Sequence, residues 1–279
     1  MSPDQYCQEK AVASGSSFYY SFLFLPPEKR RAITAFYALC RELDDVVDEC
    51  SDPQVAVIKL AWWRTELDRL FQNQPQHPVT QALAPYVLEL DIPRELLEEI
   101  VDGMEMDIAH SRYPDFKSLQ LYCYRAAGVV GEIAARIFGD THRDTAQYAH
   151  DLGMAFQLTN IIRDVGEDAR RNRIYLPQTE LEQFGVTSAD ILHARMNGAF
   201  LALMQFQYER AVGYYEKALT RLPPQDRRNQ RPGLAMAAIY RATLEEIRRG
   251  GYRVLTERTS LTPLRKFWLA WKTWTFTGG

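Results

Sequence analysis

Several things are scarce in this chain, and each scarcity removes a class of explanation. The apolar stretch from Phe18 to Leu25 is short and stops at Pro26-Pro27, far from the ~20 residues that a bilayer-spanning helix needs. No basic run occurs and the net charge is −3, so nothing in the charge balance points to nucleic acid. The four cysteines (Cys7, Cys40, Cys50 and Cys123) form no CxxC pair. Cys40 lies in an apolar helical face and reads as a small buried thiol. The opening Met-Ser-Pro-Asp-Gln lacks the cationic start and apolar run of a signal peptide. A reduced, cytoplasmic protein is expected. No linker rich in Gly, Ser or Pro divides the chain, which predicts a single domain over 1–279. A GxGxxG loop after a strand is also lacking, so no dinucleotide fold is expected.

What is present is helical periodicity, in a chain whose 46% hydrophobic content suffices for a sizeable core. Pro27-Glu28 suits a helix start, and the spacing predicts a helix from there to Glu49, broken by Asp52-Pro53. Further helices are expected over 54–71, 79–90, 94–111, 115–138, 188–195, 197–221 and 232–256. Asp140 to Gly166 reads as one long helix. The charged stretch from Gly166 to Arg173, closed by Ile174-Tyr175-Leu176-Pro177, reads as a loop or lid. Pro223 to Pro232 is polar and reads as mobile. The fold class is all-α.

Two acidic stretches carry the chemistry. In the first, Tyr37, Arg41, Asp44 and Asp48 follow at spacings of 4, 3 and 4, which on a helix forms one stripe with Asp44 and Asp48 roughly 6 Å apart along the axis. That stripe borders the apolar one of Ile33, Phe36, Cys40, Leu43 and Val47, whereas Glu42, Asp45 and Glu49 turn toward water. In the second, Gln157, Asn160, Asp164 and Asp168 share a face beside Met154, Leu158, Ile161 and Val165. One DxxxD has an ordinary explanation, a solvated helix face. Two, each beside an apolar stripe and each with an arginine (Arg41, Arg163), suit facing carboxylate pairs that hold Mg²⁺. Those arginines, with Arg171 and Arg173, would bind a polyanion such as diphosphate.

Longer motifs accompany these stretches: Ser16-Ser17-Phe18-Tyr19-Tyr20, Phe36-Tyr37-Ala38-Leu39-Cys40-Arg41, Asp44-Asp45-Val46-Val47-Asp48, Tyr122-Cys123-Tyr124-Arg125-Ala126-Ala127-Gly128-Val129-Val130-Gly131, Asn160 to Asp168, and Arg173-Ile174-Tyr175-Leu176-Pro177. Together they resemble the squalene/phytoene synthase family of head-to-head prenyl synthases. The N-terminal Ala13 to Tyr20 and Phe24 to Glu28 look most like bacterial presqualene diphosphate synthase of the hopanoid route. The resemblance implies a helical bundle of the isoprenoid-synthase kind with a central cleft. It implies that Asp44, Asp48, Asp164 and Asp168 bind two or three Mg²⁺ ions. Arg41 and Arg163 match its diphosphate-binding arginines. Ser17, Phe18, Tyr37, Gln157, Asn160, Arg171, Arg173 and Arg258 fall at substrate-binding positions, and Tyr122 and Tyr240 match two pocket tyrosines implicated in catalysis. Ser14 departs from the pattern, standing where some members place a histidine.

The chemistry implied is Mg²⁺-dependent condensation of two farnesyl diphosphates. Metal and arginine neutralise a leaving diphosphate, and the second substrate's double bond attacks the allylic cation. Loss of a proton then closes the cyclopropane of presqualene diphosphate. NADPH is not expected for this step; a complete squalene synthase would need it. Phytoene or dehydrosqualene synthesis and a non-catalytic scaffold that keeps the fold remain the alternatives. Gly153-Met154-Ala155-Phe156-Gln157 resembles the GxxFQ of chain-elongating prenyltransferases, but Asn160-Ile161-Ile162-Arg163-Asp164 follows instead of a second DDxxD. The small residues Ala126, Ala127, Gly128, Gly131, Ala134 and Ala135 either leave room for isoprenoid tails or let helices approach. Three of the five tryptophans stand between Leu264 and Phe276 with lysines beside them. That segment is either a peripheral membrane contact at the inner membrane face or a terminal helix packed on the bundle. A downstream squalene-forming enzyme is an expected partner.

Overall fold

The computed structural model describes residues 1–13, 17–50 and 52–276, and of Ser17 and Tyr19 the backbone alone. Ser14 and the Ser17 side chain thus lie outside the described residues. The helices are, in order, α1 (Pro3–Ala13), α2 (Ser17–Phe22), α3 (Pro27–Glu49), α4 (Pro53–Phe71), α5 (Pro78–Glu89), α6 (Arg94–Ala109), α7 (Phe116–Cys123), α8 (Val129–Phe138), α9 (Arg143–Arg170), α10 (Gln178–Phe184), α11 (Ser188–Leu192), α12 (Gly198–Arg221), α13 (Arg231–Arg249) and α14 (Pro263–Phe276). Among the described residues the strand-like pairing is one isolated bridge, Arg112 with Ile174. The fold is all-α, as the periodicity predicts.

Helix α9 is the axis of the bundle. It buries side chains all around, from Thr145 and Tyr148 to Val165 and Ala169, as only a central helix does. It packs against α8, α12 and α13. Helix α3 starts with Pro27 at its first position and turns Ile33, Phe36, Leu39, Leu43 and Val47 inward. One hydrophobic cluster joins residues from Cys7 to Leu255, and a smaller one ties Leu261 and Ala270 to Ala235 and Ile239 of α13.

Several boundaries differ from the sequence reading. Gly166 does not end its helix; α9 continues to Arg170. The glycine is there for contact: a Cβ on it would stand 2.3 Å from the Leu255 carbonyl oxygen, and its amide donates to Val254 at 3.1 Å. The stretch read as a lid is tied down, with Ile174 N donating to Ser111 O at 3.0 Å and Gln178 N to Tyr113 O at 2.9 Å. The predicted helix 115–138 is interrupted by a π-helical turn at Tyr124–Gly128. The helix predicted over 232–256 stops at Arg249, because Gly251 and Tyr252 take left-handed backbone. Helices α1 and α10 carried too little periodicity to be predicted. Helix α1 also corrects the view of α3's outer face: Lys10 pairs with Glu42 at 2.9 Å and Asp45 at 2.7 Å, so those two carboxylates face a cation rather than open water.

The polar stretch from Pro223 to Pro232 is not loose. Asp226 is fully buried and accepts from the amides of Thr141 (3.0 Å) and His142 (3.2 Å) and from the hydroxyls of Thr141 and Thr145. It therefore anchors the N-terminus of α9. Burial alone would raise its carboxyl; these bonds outweigh that and hold it below the usual carboxylate range. Replacing a buried acceptor of this kind leaves its donors unpaired, so Asp226→Ala is expected to cost about 2–4 kcal/mol in urea denaturation at pH 7. Because the folded value is depressed, that stabilisation exists at neutral pH and is lost as pH falls through it. The gap between wild type and variant should close in acid.

Candidate active site

Helices α3 and α9 line one cavity of about 550 Å³. The stripe Tyr37, Arg41, Asp44, Asp48 comes from α3, and Gln157, Asn160, Arg163, Asp164 and Asp168 from α9. Because α9 runs past Gly166, Asp168 keeps its helical phase with Asp164. Arg171 and Arg173 follow on the next turn, Tyr122 lies in the last turn of α7, Tyr240 comes from α13, Phe18 from α2, and Arg258 from the segment after α13; all line the same space. Every predicted site residue whose side chain is described is therefore brought to it. The small residues serve both predicted ends. Ala126, Ala127, Gly131, Ala134 and Ala135 border the cavity, yet a Cβ on Gly153 would meet the Ala127 carbonyl oxygen at 2.3 Å, which marks close helix approach. Gly128 is not part of the lining. Cys40 is half-buried, packed against the core on one side and bordering the cavity on the other.

At one end charges are dense and cross-paired. Arg163 grips Asp164 with two bonds (2.8 and 2.5 Å), and Arg258 reaches the same carboxylate at 2.9 Å and Glu167 at 3.2 Å. Arg41 spans Asp44 (3.2 Å) and Asp45 (2.7 Å). Arg171 meets Asp48 at 3.0 Å, joining the two acidic motifs. Burial raises Asp164, but Arg163 and Arg258 more than reverse it, leaving its carboxyl below the ordinary value. Asp168 makes no ion pair among the described residues; burial, then Asp164, Asp107 and Glu167, push it up to about 7. Burial likewise pushes Asp44 up to about 7 against the pull of Arg41. Solvent tempers that rise, since the Asp44 side chain keeps 39% of its surface exposed.

Among the lining residues that sequence reasoning missed, four bear on the chemistry. Asp107 accepts from the Tyr175 hydroxyl and pairs with Arg173 at 3.3 Å, yet in the sequence it is one acid among Asp102 and Glu105. Tyr175 stacks on Tyr122 with ring centroids 5.3 Å apart. Lys266 of α14 turns into the cavity; burial, then Arg163 and Arg258, lower its ammonium. Tyr148 forms the opposite, closed end with Phe22, Phe138 and Gly233, all buried. Burial raises Tyr122 and Tyr240 well above or above the ordinary phenol value, so both are neutral donors at pH 7.

The profile of the squalene/phytoene synthase family matches residues 11–265. The chain belongs to that family. Members are head-to-head prenyl transferases, and the predicted transferase class holds at that level. The chain is 35% identical over 272 residues to 15-cis-phytoene synthase of Synechococcus elongatus, covering 93% of this chain and 88% of that one. Among solved structures it superposes on a dehydrosqualene synthase in complex with ligand at a TM-score of 0.87 and 27% identity, covering 98% and 96% of the two chains. A squalene synthase from Alicyclobacillus acidocaldarius superposes at 0.79 and 27% identity, covering 90% and 94%. Three similar proteins thus carry three different product names on one fold, so likeness alone does not choose the product.

The Tyr148 hydroxyl has no hydrogen-bond partner among the described residues. Removing an unsatisfied buried hydroxyl relieves its desolvation cost, so Tyr148→Phe should gain about 1 kcal/mol in chemical denaturation. A loss of that size would reveal a partner for the hydroxyl.

Proposed function

We propose that the chain condenses two farnesyl diphosphates head to head, giving presqualene diphosphate, one diphosphate and one proton. The observation that carries this reading is a single cavity with an ionic end and a closed apolar end. Six acidic and six basic side chains line it: Asp44, Asp48, Asp107, Asp164, Glu167 and Asp168 against Arg41, Arg163, Arg171, Arg173, Arg258 and Lys266. The count balances, so two diphosphates cannot enter without divalent cations to accompany them. Among the described residues no three side chains form a ready-made metal cage. Mg²⁺ needs no such cage, since it takes one or two carboxylates and completes its shell with water and substrate phosphate oxygens. Asp44, Asp48, Asp164 and Asp168 are the residues that would hold it. When bound, it draws charge from the leaving diphosphate oxygen.

The chain's own residues do the rest. Arg41, Arg163 and Arg171 exchange their carboxylates for diphosphate oxygens, Gln157 and Asn160 orient the head, and the apolar walls keep water from the cation. Tyr122 and Tyr240, protonated, steady charge with ring faces and hydroxyls and are poor bases; the departing diphosphate is the natural proton acceptor. The length of α9 supports farnesyl over geranylgeranyl chains. Tyr148 stands 16 residues before Asp164, about 24 Å along the axis. At about 5 Å per isoprene unit a farnesyl tail spans ~15 Å and a geranylgeranyl tail ~20 Å. The metal bridge, two Mg–O bonds of about 2 Å each, and the diphosphate itself take up the first part of that span at the Asp164 end, so a ~20 Å tail would overrun what is left and its fourth unit would meet Tyr148, Phe22 and Phe138. A product that keeps one diphosphate also calls for a following reaction that reduces or hydrolyses it, which gives a squalene-forming partner its place.

Product analysis with farnesyl diphosphate and Mg²⁺, with and without NADPH, tests the reading. Presqualene diphosphate in both reactions is expected. Squalene appearing with NADPH makes the chain a complete squalene synthase, and turnover of geranylgeranyl diphosphate alone overturns the chain-length assignment. Asp44→Asn should lower turnover by about 10²–10³-fold or more with the helical circular dichroism unchanged. It is a cleaner probe than Asp164, whose loss would strand buried Arg163. A pH dependence follows from the raised carboxyls. Without metal, Asp168 holds its proton until about pH 7, and its favourable contribution to folding is lost as pH rises through that value. Metal needs the ionised form, so Mg²⁺ binding with inorganic diphosphate should release protons and tighten between pH 6 and 8. Calorimetry in buffers of different ionisation enthalpy reads the released protons, and Asp168→Asn should reduce their number, leaving the share that comes from Asp44.

A further inference from the structure

Helix α14 has two opposite faces. Its inner face is packed: Ala270 is fully buried against α13, the Trp274 ring lies 5.6 Å from that of Phe24, just after α2, and Lys266 enters the cavity. The outer face carries Leu264, Trp268 and Trp271, at the spacing of one continuous helical stripe, with Phe267 at its margin, where its ring lies 6.1 Å from that of Phe24, and Phe276 beyond. All are exposed, Leu264 at 83% and Trp268 at 51%. Large aromatic groups left in water in a contiguous row mark a contact surface rather than chance exposure.

Charge identifies the partner. From Arg258 to the end of the chain there is no acidic residue, while Arg258, Arg265, Lys266 and Lys272 are cationic. Arg265 and Lys272 flank the apolar stripe. Lys272 sits 5.0 Å over the Trp268 ring, and Arg265 has one carboxylate near it, Glu246 at 2.7 Å. A Trp- and Leu-bearing stripe edged by cations matches the boundary between anionic headgroups and acyl chains. At 14 residues the helix is about 21 Å long, and none of the described helices is long and apolar enough to cross a membrane.

We propose that the outer face of α14 docks the protein on an anionic phospholipid surface, with α14 lying in the interface plane. Because Lys266 on the same helix lines the cavity, docking brings the wall of the cavity against the lipid into which a long-chain product would pass. The docking itself does not depend on which prenyl diphosphate is used.

The test is co-sedimentation of the full chain with phosphatidylcholine vesicles, with and without phosphatidylglycerol, against Trp268→Glu/Trp271→Glu. Wild type should sediment with the anionic vesicles, weakly with neutral ones, and less as salt rises. The double variant should bind at least about ten-fold more weakly while turning over soluble substrate at the wild-type rate, since neither tryptophan touches the cavity. Equal sedimentation of the variant, or no sedimentation of wild type, overturns the proposal. So does a concentration-dependent dimer in light scattering that the variant abolishes, because a second copy would then cover the stripe.

Discussion

Carboxylates crowded into a drying cleft repel one another, and the fold depends on compensating them. Arg163 and Arg258 clamp Asp164, Arg41 holds Asp44, and Arg171 reaches from the end of α9 to Asp48. Each pair is in place before any ligand arrives, and the Arg171–Asp48 pair joins the end of α9 to α3. Asp168, without an ion pair among the described residues, is the remaining imbalance. A cleft built this way is stable while empty and still electrically unfinished, because the arginines that quiet the acids are the groups a diphosphate would claim.

The surrounding structure maintains that arrangement from a distance. Asp226 ties the N-terminal end of α9 through Thr141 and Thr145, while the backbone of Val254 and Leu255 lies against Gly166 near its C-terminal end. The π turn at Tyr124–Gly128 sets the phase between α7 and α8, so that Tyr122 and Ala126 both face the cavity. Such turns interrupt helices where a side chain must be aimed. The tyrosines Tyr113, Tyr122 and Tyr175 stack beside Asp107, a dry aromatic wall next to the charged end.

Much of this was legible in the sequence, for identifiable reasons. Spacings of 3 and 4 placed Asp44 with Arg41 and Asp164 with Asn160 because helical geometry leaves little choice once the periodicity is strong. What escaped notice depended on tertiary contact. Asp107 resembles its exposed neighbours until Tyr175 and Arg173 arrive from 66 and more residues away. Lys266 sits in a segment whose tryptophans draw attention to its other face. Gly166 looked like a helix end because glycine usually is one, and only the approach of residues 254–255 shows why it stands mid-helix. Asp226 was masked by a run of polar neighbours.

From Tyr148 to Asp168 a single uninterrupted helix carries both the floor and the charged end. Its span, about 30 Å for 20 residues, is set by peptide geometry and not by loop closure. The softest motion of such a rod is bending, which hardly alters end-to-end length. The separation between the two ends of the cavity therefore drifts little with temperature, unlike that of a pocket bounded by loops. It changes in discrete increments: a side chain at 148, or its neighbour one turn on at 152, can change size, but the rod between the two ends cannot be stretched.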